Sequence, residues 1–172
     1  LFDSPCCLMT LEIRPVQPAD AQAATDLLNA IIRTGGTTAL QTPMSVEENT
    51  AYFLDGPKVL CCHVAVLDGE LVGFQSLGQL AGLPEGWGDI ATFAAEGLTG
   101  RGIGSALLAA TRAKALALGL HHINARIRAD NTGGLTYYSR MGFVDYHVDR
   151  AVPLADGTPV DRVFKQLALQ VA

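Results

Sequence analysis

The 172-residue chain has no apolar run near the roughly 18 residues that a membrane-spanning helix requires, so no helical span is expected. It has no CxxC and no paired spacing of metal ligands. Its four cysteines stand as two adjacent pairs, Cys6-Cys7 and Cys61-Cys62, and no metal is implied. Charge is sparse, at 17% of residues against 49% hydrophobic, which excludes a disordered chain. Basic residues are the minority, twelve Lys and Arg against seventeen Asp and Glu, and a net charge of −5 makes nucleic acid an unexpected partner. Repeats, linkers and low-complexity segments are also missing. Residues 9–172 therefore read as one domain, long enough to bury a core without disulfide or metal staples. Residues 1–8, which precede Met9, read as a disordered extension, and they lack the basic start and long apolar centre of a secretory signal. On a strand, Cys61 and His63 share one face and Cys62 the other. Buried, reduced thiols in a cytoplasmic protein account for that pair.

What is present mixes helices with hairpins. A strand is expected over 11–16. Pro18 and Asp20 open a helix whose Ala24, Leu27, Leu28, Ile31 and Ile32 fall at helical spacing, stopped by Gly35-Gly36. Ser45-Val46-Glu47-Glu48 forms a capping box for a short helix. Strands over 60–67 and 70–80 are joined by Asp68-Gly69, a strong hairpin signal. A loop over 82–88 leads to a strand over 89–95. The long helix that ends at Gly119 is apolar nearly all round, which predicts burial on every side. A strand over 122–127, a short helix over 133–140 capped by Asp130-Asn131, and strands over 143–154 and 159–169 complete the chain. The pattern is an α+β (mixed α/β) domain with a largely antiparallel sheet flanked by helices.

Charge is unevenly spread. Residues 101–140 hold six basic side chains (Arg101, Arg112, Lys114, Arg126, Arg128, Arg140) and one acid, Asp130, for a local charge of +5, which leaves −10 for the rest. That stretch suits a small polyanion, with solvated helix faces as the alternative. At its start, Gly100, Gly102 and Gly104 stand between a strand and a helix N-terminus, where bare N–H groups can crowd round an anion. The helix dipole adds about half a positive charge and Arg101 a full one. A phosphate or pyrophosphate is the natural ligand; a tight turn without one is the alternative. The string is no P-loop, because the Gly-Lys-Ser/Thr ending is missing. It is no dinucleotide fingerprint either, because the sixth position from Gly100 or Gly102 is Ser105 or Leu107, which disfavours a nucleotide-binding oxidoreductase.

The string Thr99-Gly100-Arg101-Gly102-Ile103-Gly104-Ser105-Ala106-Leu107-Leu108 resembles the coenzyme-A motif of the GNAT superfamily of N-acetyltransferases, Arg/Gln-x-x-Gly-x-Gly/Ala. The later string Asn131-Thr132-Gly133-Gly134-Leu135-Thr136-Tyr137-Tyr138-Ser139-Arg140-Met141-Gly142-Phe143 resembles its second hallmark, a short helix with Asn, Leu, Tyr and a closing Gly-Phe. Spacing and element order match after Met9. One departure is Thr99, which stands where the family has Arg or Gln, so that pyrophosphate binding would rest more on backbone amides and Arg101. Residues 31–53 are similar to the phosphinothricin-acetyltransferase-like branch, whose members acetylate the α-amino group of small amino acids or analogues.

The resemblance implies acetyl transfer from acetyl-CoA, as cosubstrate, to a primary amine of a small molecule, with both bound at once. Phe93, Ala94 and Ala95 would pair with the pantetheine arm as an added strand does. Thr99, Gly100, Arg101, Gly102, Ile103, Gly104 and Ser105 would hold the pyrophosphate, and a strand N–H near Ala94 would face the thioester oxygen. Asp89 is the first candidate for the base and Glu96 the second. Tyr138 takes the position of the family's tyrosine acid, and Tyr137 that of a core aromatic. Asn131 is a cofactor contact or a helix cap. His63, His121, His122 and His147 are scattered and read as structural. A protein N-terminus or lysine as acceptor, and a non-catalytic coenzyme-A sensor, are the rival readings; a closing loop over 34–42 or 82–88 would favour a small acceptor. Dimers are common among such folds, with the hairpin over 143–169 as the expected contributor.

Overall fold

The computed structural model describes residues 9–98 and 100–170, so the expectations for residues 1–8 and for Thr99 fall outside the described residues. Strands β1 (Leu11–Pro15), β2 (Val59–Leu67), β3 (Glu70–Gly78), β4 (Trp87–Ala94), β5 (His122–Arg128), β6 (Val144–Pro153) and β7 (Pro159–Ala168) form one sheet in the order β1-β2-β3-β4-β5-β7-β6. Every pairing is antiparallel except β4 with β5, which the chain joins by a crossover through a helix. Helices α1 (Ala21–Thr34) and α2 (Val46–Asn49), with a π turn at Thr50–Leu54, lie on one face; α3 (Ile103–Ala117) and α4 (Thr132–Arg140) lie on the other. This is an α+β domain with a mixed sheet flanked by helices, as the sequence pattern predicts.

Local chemistry explains the boundaries. Asp68 and Gly69 both take positive φ, the geometry of a two-residue hairpin turn whose twist matches the strands it joins. Ser45 Oγ accepts from the Glu48 amide while Glu48 Oε2 accepts from the Ser45 amide, which completes the capping box. The Asp20 carboxylate accepts from both terminal nitrogens of Arg14 and from the Gln17 amide, which fixes the turn that starts α1; the Arg14 hydrogen bonds hold that carboxyl below its usual range. Strand β4 begins at Trp87, inside the expected loop, because the Trp87 ring stacks on His122 of β5 with centroids 4.5 Å apart.

Leu28 of α1 is fully buried with Val64 and Phe74 on one face of the sheet, and Leu107 of α3, Leu77 and Ile123 are fully buried on the other. Each such side chain contributes about 1.5–3 kcal/mol. The expectation that α3 is buried all round is corrected. Ile103, Leu107, Leu108, Thr111 and Ala115 are buried, whereas Ala109, Ala113 and Ala117 face solvent. Alanine promotes a helix at either position, so composition alone does not mark the inner face.

Cys62 is buried and Cys61 half-buried, and burial pushes their thiols up to about 12 and about 11. His63 is buried, and its Nδ1 has no hydrogen-bond partner among the described residues. Burial first, then the Lys114 charge, lowers its pKa. A depressed histidine pKa means that the unfolded chain binds the proton more tightly, so the contribution of neutral His63 is present above about pH 6.5 and lost as pH falls further. The wild type should therefore lose more melting temperature between about pH 7.5 and about pH 5.5 than a His63→Leu variant. Equal losses in the two proteins would contradict this account.

Candidate active site

The site begins where two strands part. The ladder between β4 and β5 runs from Trp87↔His122 to Ile90↔Ala125 and stops, although β4 continues to Ala94 and β5 to Arg128. Beyond that point each strand keeps only its outer neighbour: β4 stays on β3 and β5 on β7. The Ala95 amide donates to the Val72 carbonyl at 2.8 Å. By the two-residue alternation of an antiparallel ladder, Phe93 and Ala95 spend their backbone groups on β3, and Thr92 and Ala94 present theirs to the gap. An edge of free N–H and C=O groups is a template for an extended ligand. Of the three residues expected to pair with such a ligand, Ala94 therefore has the free groups, whereas Phe93 and Ala95 flank it.

On the α3 face, the loop from Gly100 to Gly102 enters the helix. Gly102 is its N-cap, with φ of +75°, a left-handed conformation that a side chain makes costly. The first intrahelical bond runs from the Ala106 amide to the Gly102 carbonyl, so the amides of Ile103, Gly104 and Ser105 precede the ladder and face outward at the positive end of the helix. Arg101 is exposed beside Met9. Glycine is required at 104 for a different reason: a Cβ there would lie 2.6 Å from Cε2 of Tyr137. That ring packs on the helix turn, and its hydroxyl donates to the Gly104 carbonyl at 2.8 Å.

Tyr138, next along α4, reaches the parted strands from the same side. Its hydroxyl lies 2.9 Å from Oγ1 of Thr92 on β4, and its ring packs against Phe143 and Tyr137. Burial raises the phenol well above its usual pKa, and the hydrogen bond with Thr92 acts against that rise. It is thus a proton donor rather than a phenolate at neutral pH. Behind it, Gln75 of β3 joins Thr92, Tyr137 and Thr111 of α3 in one buried network.

Asp89 lies three residues before Thr92, and an odd separation puts the two on opposite sheet faces. On its face, Asp89 accepts from Nδ2 of Asn124 at 2.7 Å and from Arg126 at 3.2 Å. Tyr146 donates to Oδ1 of Asn124, which fixes the orientation of that amide. Burial raises the Asp89 carboxyl, with Arg126 and Asn124 acting against it. The direct pairing Arg128↔Arg162 sets two more cations on the same face. Arg128 is paired with Asp130. Arg162 has no ion pair among the described residues, and burial followed by Arg128 pushes its pKa down. An unpaired, partly buried guanidinium beside further cations is a receptor for an anion.

The segment over 35–45 closes one end. Arg128 donates to the Thr38 carbonyl and Asn131 Nδ2 to the Thr37 carbonyl, both at 2.9 Å. Gln41 and Asp156 exchange two hydrogen bonds, which ties the segment to the β6–β7 hairpin. Asn131 Oδ1 accepts from the Gly134 amide, so both ends of its amide serve the helix cap and the segment. Glu96 stands exposed in the turn after β4, three residues past Phe93 and away from the Asp89 cluster. The basic stretch of 101–140 forms no single patch: Arg126 and Arg128 face the side opposite α3. Gln75, Thr92 and Thr111 carry no sequence signal, and only the meeting of β3, β4 and α3 reveals them.

The family model described as Acetyltransferase (GNAT) family matches residues 25–143 of the chain. A phosphinothricin N-acetyltransferase from Streptomyces coelicolor is 29% identical over 139 residues, which are 77% of this chain and 81% of that protein. The crystal structure of a GNAT superfamily phosphinothricin acetyltransferase from Sinorhizobium meliloti, in complex with AcCoA, superposes with a TM-score of 0.79 at 22% identity, over 94% of this chain and 89% of that one. An N-acetyltransferase from Staphylococcus aureus Mu50 gives a TM-score of 0.81 at 20% identity, over 94% and 99%.

The two glycines predict different outcomes. Gly104→Ala must displace the Tyr137 ring and should cost about 1–3 kcal/mol in urea unfolding, with loss of the Tyr137 bond to the helix. Gly102→Ala meets open space and should cost about 1–2 kcal/mol through its backbone conformation alone. A Gly104→Ala protein as stable as the wild type would contradict the close contact.

Proposed function

The chain belongs to the acetyltransferase (GNAT) family, and from that premise we propose that it moves an acetyl group from acetyl-CoA to the primary amine of a small anionic molecule, such as an amino acid or an analogue. The observation that carries the reading is the gap between β4 and β5, with Tyr138 on one side and Asp89 on the other. The free edge at Thr92 and Ala94 suits the amide groups of a pantetheine arm. The amides of Ile103, Gly104 and Ser105 and the Arg101 charge suit its pyrophosphate, with no lysine-bearing phosphate loop needed. Thr99 would complete that site without the usual Arg or Gln.

In this reading the Ala94 N–H donates to the thioester oxygen as it gains charge, which is worth roughly 3 kcal/mol in the transition state. The acceptor enters from the Asp89 face. An ordinary amine is neutral only about once in a thousand molecules at pH 7, so removal of its proton matters. Asp89, directly or through water, takes that proton first; the neutral amine then attacks to form the C–N bond, and the nitrogen loses its second proton to water as the tetrahedral centre collapses. The C–S bond breaks, and Tyr138 gives its hydroxyl proton to the sulfur. Arg162 and Arg126 meet the anionic group of the acceptor. The pinned segment over 35–45 narrows the entrance and favours a small acceptor over a protein. The relatives named phosphinothricin acetyltransferases support the same class.

The first test is release of coenzyme A thiol from acetyl-CoA across a panel of amino acids, analogues, uncharged amines and a peptide N-terminus. Turnover should appear with the small anionic amines, and turnover with the peptide alone would overturn the acceptor class. Tyr138→Phe should lower kcat roughly 10²-fold at nearly unchanged acetyl-CoA affinity. The raised Asp89 carboxyl must be deprotonated to act, so activity should fall as pH drops through its pKa. Asp89→Asn should remove that limb of the pH profile. Full turnover in Tyr138→Phe would exclude the phenol as the acid.

A further inference from the structure

Gln75 is a fully buried amide in the middle of the sheet, and each of its hydrogen-bond partners is remote in sequence. We propose that Gln75 is a positioning residue: it sets the direction of the protons around Tyr138, so that Thr92 is held as a donor to the phenol oxygen. The proposal rests on the reading of Tyr138 as the acid.

The assignment follows from counting donors and acceptors. The Tyr137 hydroxyl has one proton, and the Gly104 carbonyl, 2.8 Å away, takes it. The Tyr137 oxygen is then only an acceptor toward Gln75, 3.3 Å away, so the group that Gln75 turns to it must be the NH2. The opposite orientation of the amide would set two acceptors against each other. Oε1 consequently points to Thr111, whose hydroxyl donates to it at 2.6 Å; Thr111 is itself fully buried. The second Nε2 proton goes to Thr92 Oγ1 at 2.9 Å. Thr92 thereby accepts from Gln75 and keeps its own proton for a phenol oxygen; Tyr137, also within its reach, already accepts from Gln75, which leaves the Tyr138 oxygen at 2.9 Å as the open acceptor.

The consequence lies in the second half of the reaction. When Tyr138 gives its proton to the sulfur, a phenolate is left in a buried setting that disfavours charge. Thr92, already polarised by Gln75, donates to it, and each bond in the chain strengthens the next. Tyr138 regains its proton from water before the next cycle. Without Gln75, Thr92 can rotate its hydroxyl elsewhere, and the phenol becomes a weaker acid in the same position. Tyr137 and Gly104 are the anchor of the whole orientation, which gives the tight contact between them a purpose beyond packing.

The test reads the Tyr138 phenol directly. Protein carrying a fluorinated, more acidic tyrosine at its four tyrosine positions is titrated by fluorine resonance, and the Tyr138 signal is assigned by its loss in Tyr138→Phe. In Gln75→Leu and in the near-isosteric Gln75→Glu, the Tyr138 pKa should rise by about one unit, a tenfold weaker acid. In a Thr92→Val background the same Gln75 substitutions should shift it little. With acetyl-CoA and an acceptor, Gln75→Leu should lower kcat about tenfold at unchanged KM, and should add nothing to the loss in Tyr138→Phe. An unmoved Tyr138 pKa in both Gln75 variants, or the same shift with Thr92 absent, overturns the proposal. The titration reports on the network whether or not Tyr138 is the acid, and turnover of Tyr138→Phe alone reports on the acid, so the two failures are separable.

Discussion

Everything in this structure that bears on chemistry depends on two neighbouring strands that pair for four residues and then separate. A continuous sheet would satisfy the backbone groups of Thr92 and Ala94 and seal the two faces from each other. The separation costs ladder hydrogen bonds, and those unspent groups are what an extended ligand can use. It also interrupts the sheet between its two faces. The crossover from β4 through α3 to β5 brings a helix N-terminus to that gap, and α4 then lays Tyr138 beside it. The connectivity that makes β4 and β5 the one parallel pair thus also delivers the positive end of a dipole and a buried phenol to one place.

The gap lies between two electrostatic settings. On the α3 and α4 side, the groups are neutral hydroxyls and an amide within an apolar core, where burial keeps a phenol protonated. On the α1 side, the groups are charged: Asp89 set among Asn124, Arg126 and Tyr146, with Arg128 and Arg162 farther along the same rows. A reaction that must remove a proton on one side and supply one on the other needs this kind of division. Low polarity strengthens each hydrogen bond in the first setting, and the price of an unsatisfied group is high there, which is why Gln75, Thr92, Thr111 and Tyr137 all find partners.

Much of this was legible in the order of residues. Helical spacing in 24–32, the Asp68-Gly69 turn and the Ser45-Glu48 box act locally, and the elements they predict are present with small shifts at the ends. The glycine turn into α3 and the place of Tyr138 on α4 were legible because a left-handed helix cap and the resemblance to a family both leave marks at fixed spacing. What escaped has long-range causes. The early start of β4 follows from Trp87 meeting His122 across the sheet. The exposed side of α3 is hidden by alanine, which suits both faces. Gln75 lies 17 residues from Thr92 and 62 from Tyr137, and an amide in a strand announces nothing until its partners arrive. Tyr137, expected to be a core aromatic, packs as one and also anchors the network through its hydroxyl. Asn131, open between cap and cofactor contact, is a cap whose other end holds the segment over 35–45. The parting of the strands leaves no mark in the sequence at all, because the residues on both sides of it read as ordinary strand.

The most direct measurement of the central claim is amide hydrogen exchange along β4, residue by residue, with and without saturating acetyl-CoA. The account predicts that Thr92 and Ala94, whose amides face the gap, become protected when acetyl-CoA binds. Phe93 and Ala95, already bonded to β3, should change little. If acetyl-CoA binds while Thr92 and Ala94 exchange as before, the gap between β4 and β5 is not where the cosubstrate lies, and the account fails.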